Sequence, residues 1–242
     1  MSGCSTPEEK LTPAEFVNEN STLLQQLASY RDSEQREGIS RLERLGKDQG
    51  SAVILYILAD PKLDSYRIEV VLARILAEWK DPRAAPYLLR NLTVPDRGAA
   101  ARASEGLIAL GDRPQIMAAL EELLARPAVD DRAIAAETLS RFASPRVPDL
   151  FIARWQSEPS AEIRGQFLVT LIRSRHPKRK AFLVDALTDG DAAIRSEAWA
   201  ALRRYPDCPG VAFEPDGPVE DRARQVATLR MWVKAPPRVS TK

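Results

Sequence analysis

The repeat is what most constrains this chain. Leucine recurs at positions 42, 76, 107, 139, 171 and 202, at separations of 34, 31, 32, 32 and 31 residues. A second series, Leu58, Leu92, Leu124, Trp155 and Leu187, runs at 34, 32, 31 and 32. Two independent sets of apolar positions share one period near 32, and a period in that range marks stacked repeat units. Inside a unit the apolar spacing is helical. Leu139 follows Ala135 by four and precedes Phe142 by three, and Leu120 precedes Leu123 and Leu124 by three and four. Each unit therefore reads as two antiparallel helices of about 12 residues, each about 18 Å long at 1.5 Å per residue. A single hairpin cannot hide both of its apolar faces, so the units must stack and share a core.

The punctuation agrees with that reading. Asp32–Ser33, Asp64–Ser65, Asp96, Asp130–Asp131, Ser160 and Asp191 stand where second helices begin. A short oxygen side chain there accepts the orphan amide hydrogens of the first turn. Pro82, Pro114, Pro145 and Pro177 fall near the starts of the following helices, where a missing N–H costs nothing. Thr12-Pro13-Ala14-Glu15 reads as a capping box that opens a short first helix. Towards the other end, Pro206, Pro209, Pro215 and Pro218 mark a loop. Val219, Ala223, Val226, Leu229 and Val233 then give a final helix one apolar stripe, suited to covering the last repeat, and Pro236-Pro237 end it.

Three turn segments carry a family resemblance: Asp81-Pro82-Arg83-Ala84-Ala85-Pro86-Tyr87-Leu88, Leu110-Gly111-Asp112 and Ser144-Pro145-Arg146-Val147-Pro148-Asp149-Leu150. With the helix starts Ser160-Ala161-Glu162-Ile163-Arg164 and Asp191-Ala192-Ala193-Ile194-Arg195, they resemble the short HEAT repeats of phycobilin-lyase-like proteins over about residues 22 to 205. The resemblance implies an all-α fold, a right-handed α-solenoid of about six HEAT-like helical hairpins with capping helices at both ends. The expected division is a tether at 1–12, the repeat array at 13–205, and a Pro-rich loop, capping helix and tail at 206–242. Such arrays serve as scaffolds, lyases and nucleic-acid binders alike, so the resemblance specifies a fold and leaves function open.

Composition narrows the function classes. Among 242 residues, 35 Lys and Arg against 34 Asp and Glu leave a formal net charge of +1, which gives no long-range pull towards nucleic acid or anionic membrane. One histidine (His176) and two cysteines (Cys4 and Cys208) cannot build a His/Cys zinc site of three or four ligands. No Gly-rich phosphate loop, Gly-x-Ser-x-Gly or His-Glu-x-x-His motif occurs. Glu121-Glu122 and Asp130-Asp131 are adjacent, so on a helix they diverge instead of forming an acid/base dyad. Trp79, Trp155, Trp199 and Trp232 read as packing residues. The expectation is therefore no cofactor, no metal and no enzyme.

The start of the chain, Ser2-Gly3-Cys4-Ser5, resembles the tail of a bacterial lipobox, in which the cysteine is lipidated. Met1 stands where the family pattern has Leu, and on this reading the sequence begins at the end of its own signal peptide. The resemblance implies a lipid tether on Cys4 at the periplasmic face of an outer membrane. The alternatives are a cytoplasmic protein with an incidental cysteine, or a Cys4–Cys208 disulfide, which an oxidising periplasm permits.

Candidate binding residues come from placement. Arg41, Arg44, Arg74, Arg102 and Arg141 fall on second helices, which line the concave side of such arrays, with Glu78, Glu105 and Glu137 on the same helices. Arg164 and Arg195, at helix starts, read as bonds to a neighbouring turn. Arg173, Arg175, His176, Lys178, Arg179 and Lys180 form the densest charge run, and no aromatic residue interleaves it to stack bases. Mixed signs fit an unidentified protein partner, recognised by local charge matching. The expected function is a monomeric, non-catalytic protein–protein interaction scaffold, with partner-binding candidates Arg41, Arg44, Arg74, Arg102, Arg141, Arg173, Arg175, Lys178, Arg179 and Lys180. The alternatives are a nucleic-acid binder using the 173–180 cluster, and a chromophore-lyase-like enzyme or subunit.

Overall fold

A computed structural model describes residues 11–63 and 65–234, and all regular structure among them is helical. The all-helical repeat class expected from the period is the class observed. The chain divides into two compact units, Met1–Leu120 and Glu121–Lys242. The first holds α1 (Pro13–Glu19), α2 (Leu23–Ala28), α3 (Asp32–Glu43), α4 (Gly46–Leu58), α5 (Tyr66–Glu78), α6 (Ala85–Asn91) and α7 (Arg97–Leu110). The boundary falls inside α8 (Pro114–Leu123). The second unit holds α9 (Val129–Ser140), α10 (Arg146–Arg154), α11 (Ala161–Arg173), α12 (Arg179–Ala186), α13 (Ala192–Leu202) and α14 (Val219–Lys234).

Every position of the two apolar series is buried. Leu42, Leu76 and Leu107 lie on α3, α5 and α7, and Leu139, Leu171 and Leu202 on α9, α11 and α13, all at 0% exposure. Leu58, Leu92, Leu124, Trp155 and Leu187 close the alternate helices, also buried. In the first unit α5 packs on α2, α4, α6 and α7, and the fully buried Ala73, Ala77, Ala99 and Ala103 leave room for close approach of backbones. At Gly50 the Trp79 ring comes so near that a Cβ there would sit 2.5 Å from it, so only glycine fits. In the second unit α11 packs between α9 and α13, with the Phe151 and Phe167 rings stacked 4.3 Å apart.

Helix starts follow the sequence reading at most positions. Thr12 and Glu15 form the expected reciprocal capping box, and Ser65, Asp96, Ser160 and Asp191 each accept amide hydrogens of the turn they begin. Asp64 lies outside the described residues. Two starts are shifted. Arg31 caps α3 and Ala128 caps α9, so Asp32, Asp130 and Asp131 sit inside the first turn, where their charge complements the helix dipole instead of bonding the orphan amides. The stripe expected for α14 is also narrower: Val226 and Leu229 are buried, while Val219 and Ala223 are exposed. Part of the cover comes from the preceding loop, whose Phe213 is buried against Trp199 of α13. Pro236-Pro237 lie outside the described residues.

A ladder of arginines fixes the register of the second unit. Arg132, Arg164 and Arg195 each stand seven residues before a core leucine. Each donates Nη1 to two carbonyls of the turn before its own helix: Arg126 and Pro127, Glu158 and Pro159, Asp189 and Gly190. The remaining nitrogens reach forward one repeat. Arg132 pairs with Glu158 at 2.9 Å, Arg164 with Asp189 at 2.7 Å, and Arg195 with Asp216 at 3.4 Å. Glu158 and Asp189 in turn accept the backbone amides of Ser160 and Asp191, so the first two rungs each tie a turn to the next helix start. Burial pushes the Asp189 carboxyl up, but the Arg164 guanidinium and the Asp191 amide outweigh it and hold the group below the ordinary carboxylate value.

Both the core and the ladder can be tested by substitution. Leu139→Ala, at a site with no exposed surface, lowers stability by about 2–5 kcal/mol in denaturant unfolding, and an unchanged midpoint would remove that residue from the core. Arg164→Ala strands the nearly buried Asp189 and costs about 3 kcal/mol. Because the folded-state pKa of Asp189 is depressed, its contribution is complete above the ordinary aspartate value of about 3.9 and is lost as pH falls through the folded value. Asp189→Asn should flatten the pH dependence of stability in that acid range; an unaltered slope would contradict the pairing.

Candidate functional site

A cleft of about 810 Å³ opens in the second unit, between the α9–α10 turn and the C-terminal half of α11 with the turn that follows it. That is within the size range of ordinary ligand pockets. Its walls are mainly apolar: Phe142, Val147 and Pro148 are buried beneath it and Val169 flanks them. Arg173 and Arg175 stand exposed at the edge.

Most polar groups of the cleft are already used by the fold. Ser140 donates to the carbonyl of Glu137, Thr170 to that of Gln166 and Ser174 to that of Leu171, while Ser144 Oγ accepts the Arg146 amide. His176 is tied at both nitrogens. Its Nδ1 accepts the Lys178 amide at 3.3 Å, which places the proton on Nε2, 3.3 Å from Asp149. An imidazole so held has no lone pair to offer a substrate as general base. Lys178 first, then His176, keep the Asp149 carboxyl below its ordinary value. Of the polar side chains that line the cleft, the Gln166 amide and the two guanidiniums of Arg173 and Arg175 have no partner among the described residues.

The ten candidate residues divide sharply. In the first unit Arg41 donates to Glu37 at 2.8 Å and to Thr22, and Arg44 adds its charge to the same Glu37. Arg74 lies 3.5 Å from Glu78, and Arg102 faces Asp96. In the second unit Lys178 pairs with Asp149 at 3.2 Å. Arg179 donates to Tyr205 and to the carbonyls of Ile172 and Ser174, and Lys180 pairs with Asp207 while resting 3.7 Å over the Trp232 ring. Arg141, Arg173 and Arg175 are exposed with no acidic partner among the described residues. The basic run that looked continuous in sequence is thus split, and only Arg173 and Arg175 of its arginines and lysines line the cleft. Arg164 and Arg195 bond neighbouring turns as expected, with Arg132 a third rung that sequence reasoning did not single out. Cys4 lies outside the described residues.

The cleft itself was missed, although the repeat carries a sign of it. Three residues after each core leucine stand Leu45, Trp79, Leu110, Phe142, Ser174 and Tyr205. A bulky residue stands at that position in every unit but the fifth, where Ser174 lines the cleft beside Phe142; one repeat on, where Tyr205 takes the position, the opening is about 400 Å³. Gln166 and Val169, two further lining residues, have no such signature.

No protein-family model and no curated protein matches the chain. Among solved structures it is similar to human deoxyhypusine hydroxylase in complex with glycerol, at 16% identity over 90% of this chain and 96% of that one, with a TM-score of 0.32. It is also similar to the CpcE–CpcF complex of phycocyanin lyase from Nostoc sp. PCC7120, at 15% identity over 96% of this chain and 99% of that one, with a TM-score of 0.30. A hydroxylase and a lyase are both named among these neighbours, and the expectation that the chain is not an enzyme is not upheld. The missing motifs on which that expectation rested exclude only the chemistries they encode. At such scores neither activity transfers to this chain.

Proposed function

We propose that this chain is a helical-repeat binding protein whose partner is another protein, engaged at the cleft of the second unit. One observation carries the reading: Arg173 and Arg175 border an apolar cleft and, unlike Lys178, Arg179 and Lys180 of the same run, have no hydrogen-bond or ion-pair partner among the described residues. Exposed arginine beside an apolar floor is the composition favoured at the anchoring points of protein interfaces. The floor of the cleft is built from packed helices, with Phe142, Val147 and Pro148 already buried, so docking need not first order it. The nucleic-acid reading is weakened by the same geometry. Lys178, Arg179 and Lys180 are committed to Asp149, Tyr205 and Asp207, and a phosphate would have to displace those partners.

Ser2-Gly3-Cys4 supports a membrane tether through a lipid on Cys4 as a second part of this reading. Among the described residues no helix is long and apolar enough to cross a membrane. Labelled palmitate should enter the full chain and be lost in Cys4→Ala; equal labelling of both would end the tether.

The partner is tested by photo-crosslinking in the native cell, with a benzophenone side chain placed at Val169. A discrete protein adduct is expected, abolished by Arg173→Glu/Arg175→Glu and missing when the probe sits at the exposed Arg36 instead. An adduct pattern identical at the two positions, or indifferent to the charge reversal, would contradict the proposal.

A further inference from the structure

The chemistry left free in the cleft is narrow enough to name the ligand class. We infer that it receives a peptide segment of the partner in which a carboxylate lies close to a bulky apolar side chain; this rests on the partner-binding reading above. Three observations converge. Ser174 stands where the other units carry leucine, tryptophan, phenylalanine or tyrosine, so the fold lacks one bulky side chain, and the ligand supplies it against Phe142 and Val147. Arg173 and Arg175 flank Ser174 in sequence and line the same cleft, exposed and without an acid among the described residues. A planar guanidinium fork grips a carboxylate through two parallel N–H···O bonds, which a lysine cannot do. Gln166, whose side chain has no partner among the described residues, offers both a donor and an acceptor, the pair needed to bond a peptide group.

The alternatives fit less well. A sugar–phosphate backbone brings charge but little apolar surface to set against Phe142, Val147 and Pro148. A fatty acid brings apolar surface and a carboxylate but no donor for the Gln166 carbonyl. The missing bulk at position 174 and the unpaired charges on either side of it are together what an acidic–apolar peptide would complete.

The test uses the full chain and fluorescein-labelled decapeptides, Gly-Ser frames holding one glutamate two residues from one leucine or phenylalanine, read by fluorescence anisotropy. At least one frame should bind, at least tenfold more weakly when glutamine replaces its glutamate, and progressively more weakly as salt screens the exposed contact. Ser174→Phe fills the cleft and should abolish binding while melting no lower than the parent. Arg173→Ala/Arg175→Ala, both at exposed positions, should weaken binding at least tenfold, and this variant decides the outcome if the filled one fails to fold. Equal affinity of the glutamate and glutamine frames, or binding untouched by the arginine variant, would overturn the inference. So would tighter binding of oligothymidylate or oleate than of any frame. A crosslinked partner lost on charge reversal, with no frame bound, sinks this inference alone; bound frames without any partner adduct sink the partner reading alone.

Discussion

Mutual burial is the constraint from which the rest of this structure follows. A hairpin of two helices has more apolar surface than it can cover by itself, and only a neighbouring hairpin in the same register can take the remainder out of water. The six core leucines are the record of that requirement. Within each unit they have no exposed surface, and the alternate helices end on a second buried series that seals the opposite edge. Once the leucines are aligned, everything at a fixed distance from them is aligned as well. The arginine rungs of the second unit, each seven residues ahead of a leucine, can then reach an acid of the following turn or loop.

The candidate site is a consequence of the same order. At Ser174 a small residue stands where the other units carry a bulky one, and it lines the cleft beside Phe142. The arginines on either side escape the neutralisation that the fold imposes on most other basic groups. Lys178 and His176 share Asp149, Lys180 takes Asp207, and the first-unit arginines face Glu37, Glu78 and Asp96. Charge without a partner, beside apolar surface without cover, is how a binding site differs from the surrounding scaffold.

Much of the fold was legible because burial at a fixed period leaves its mark on the residues themselves. The helical class, the core leucines and four of the six helix starts could be read directly, since each rests on a local preference that packing reinforces. Asp32 and Asp130 misled because an acid in the first turn and an acid at the cap look the same in sequence, and only backbone geometry separates them. Ala223 and Val219 misled because a small or branched apolar residue on a terminal helix need not face anything; Phe213, in a loop of prolines, took that work instead. Of the site, Arg173 and Arg175 were legible as charges, but their difference from Lys178 and Lys180 depends on acids 29 and 27 residues away from those lysines, beyond any local pattern. The lapse at Ser174 was there to be read, yet only alignment on the leucines makes a serine conspicuous.

Reactivity of a thiol introduced by Val169→Cys, in a background carrying Cys4→Ser and Cys208→Ser, probes the opening most directly. With Ser174 in place, a bulky maleimide should react nearly as fast as a small one, and Ser174→Phe should slow the bulky reagent at least tenfold while barely touching the small one. Equal rates with and without the phenylalanine would mean that the missing side chain does not create the cleft.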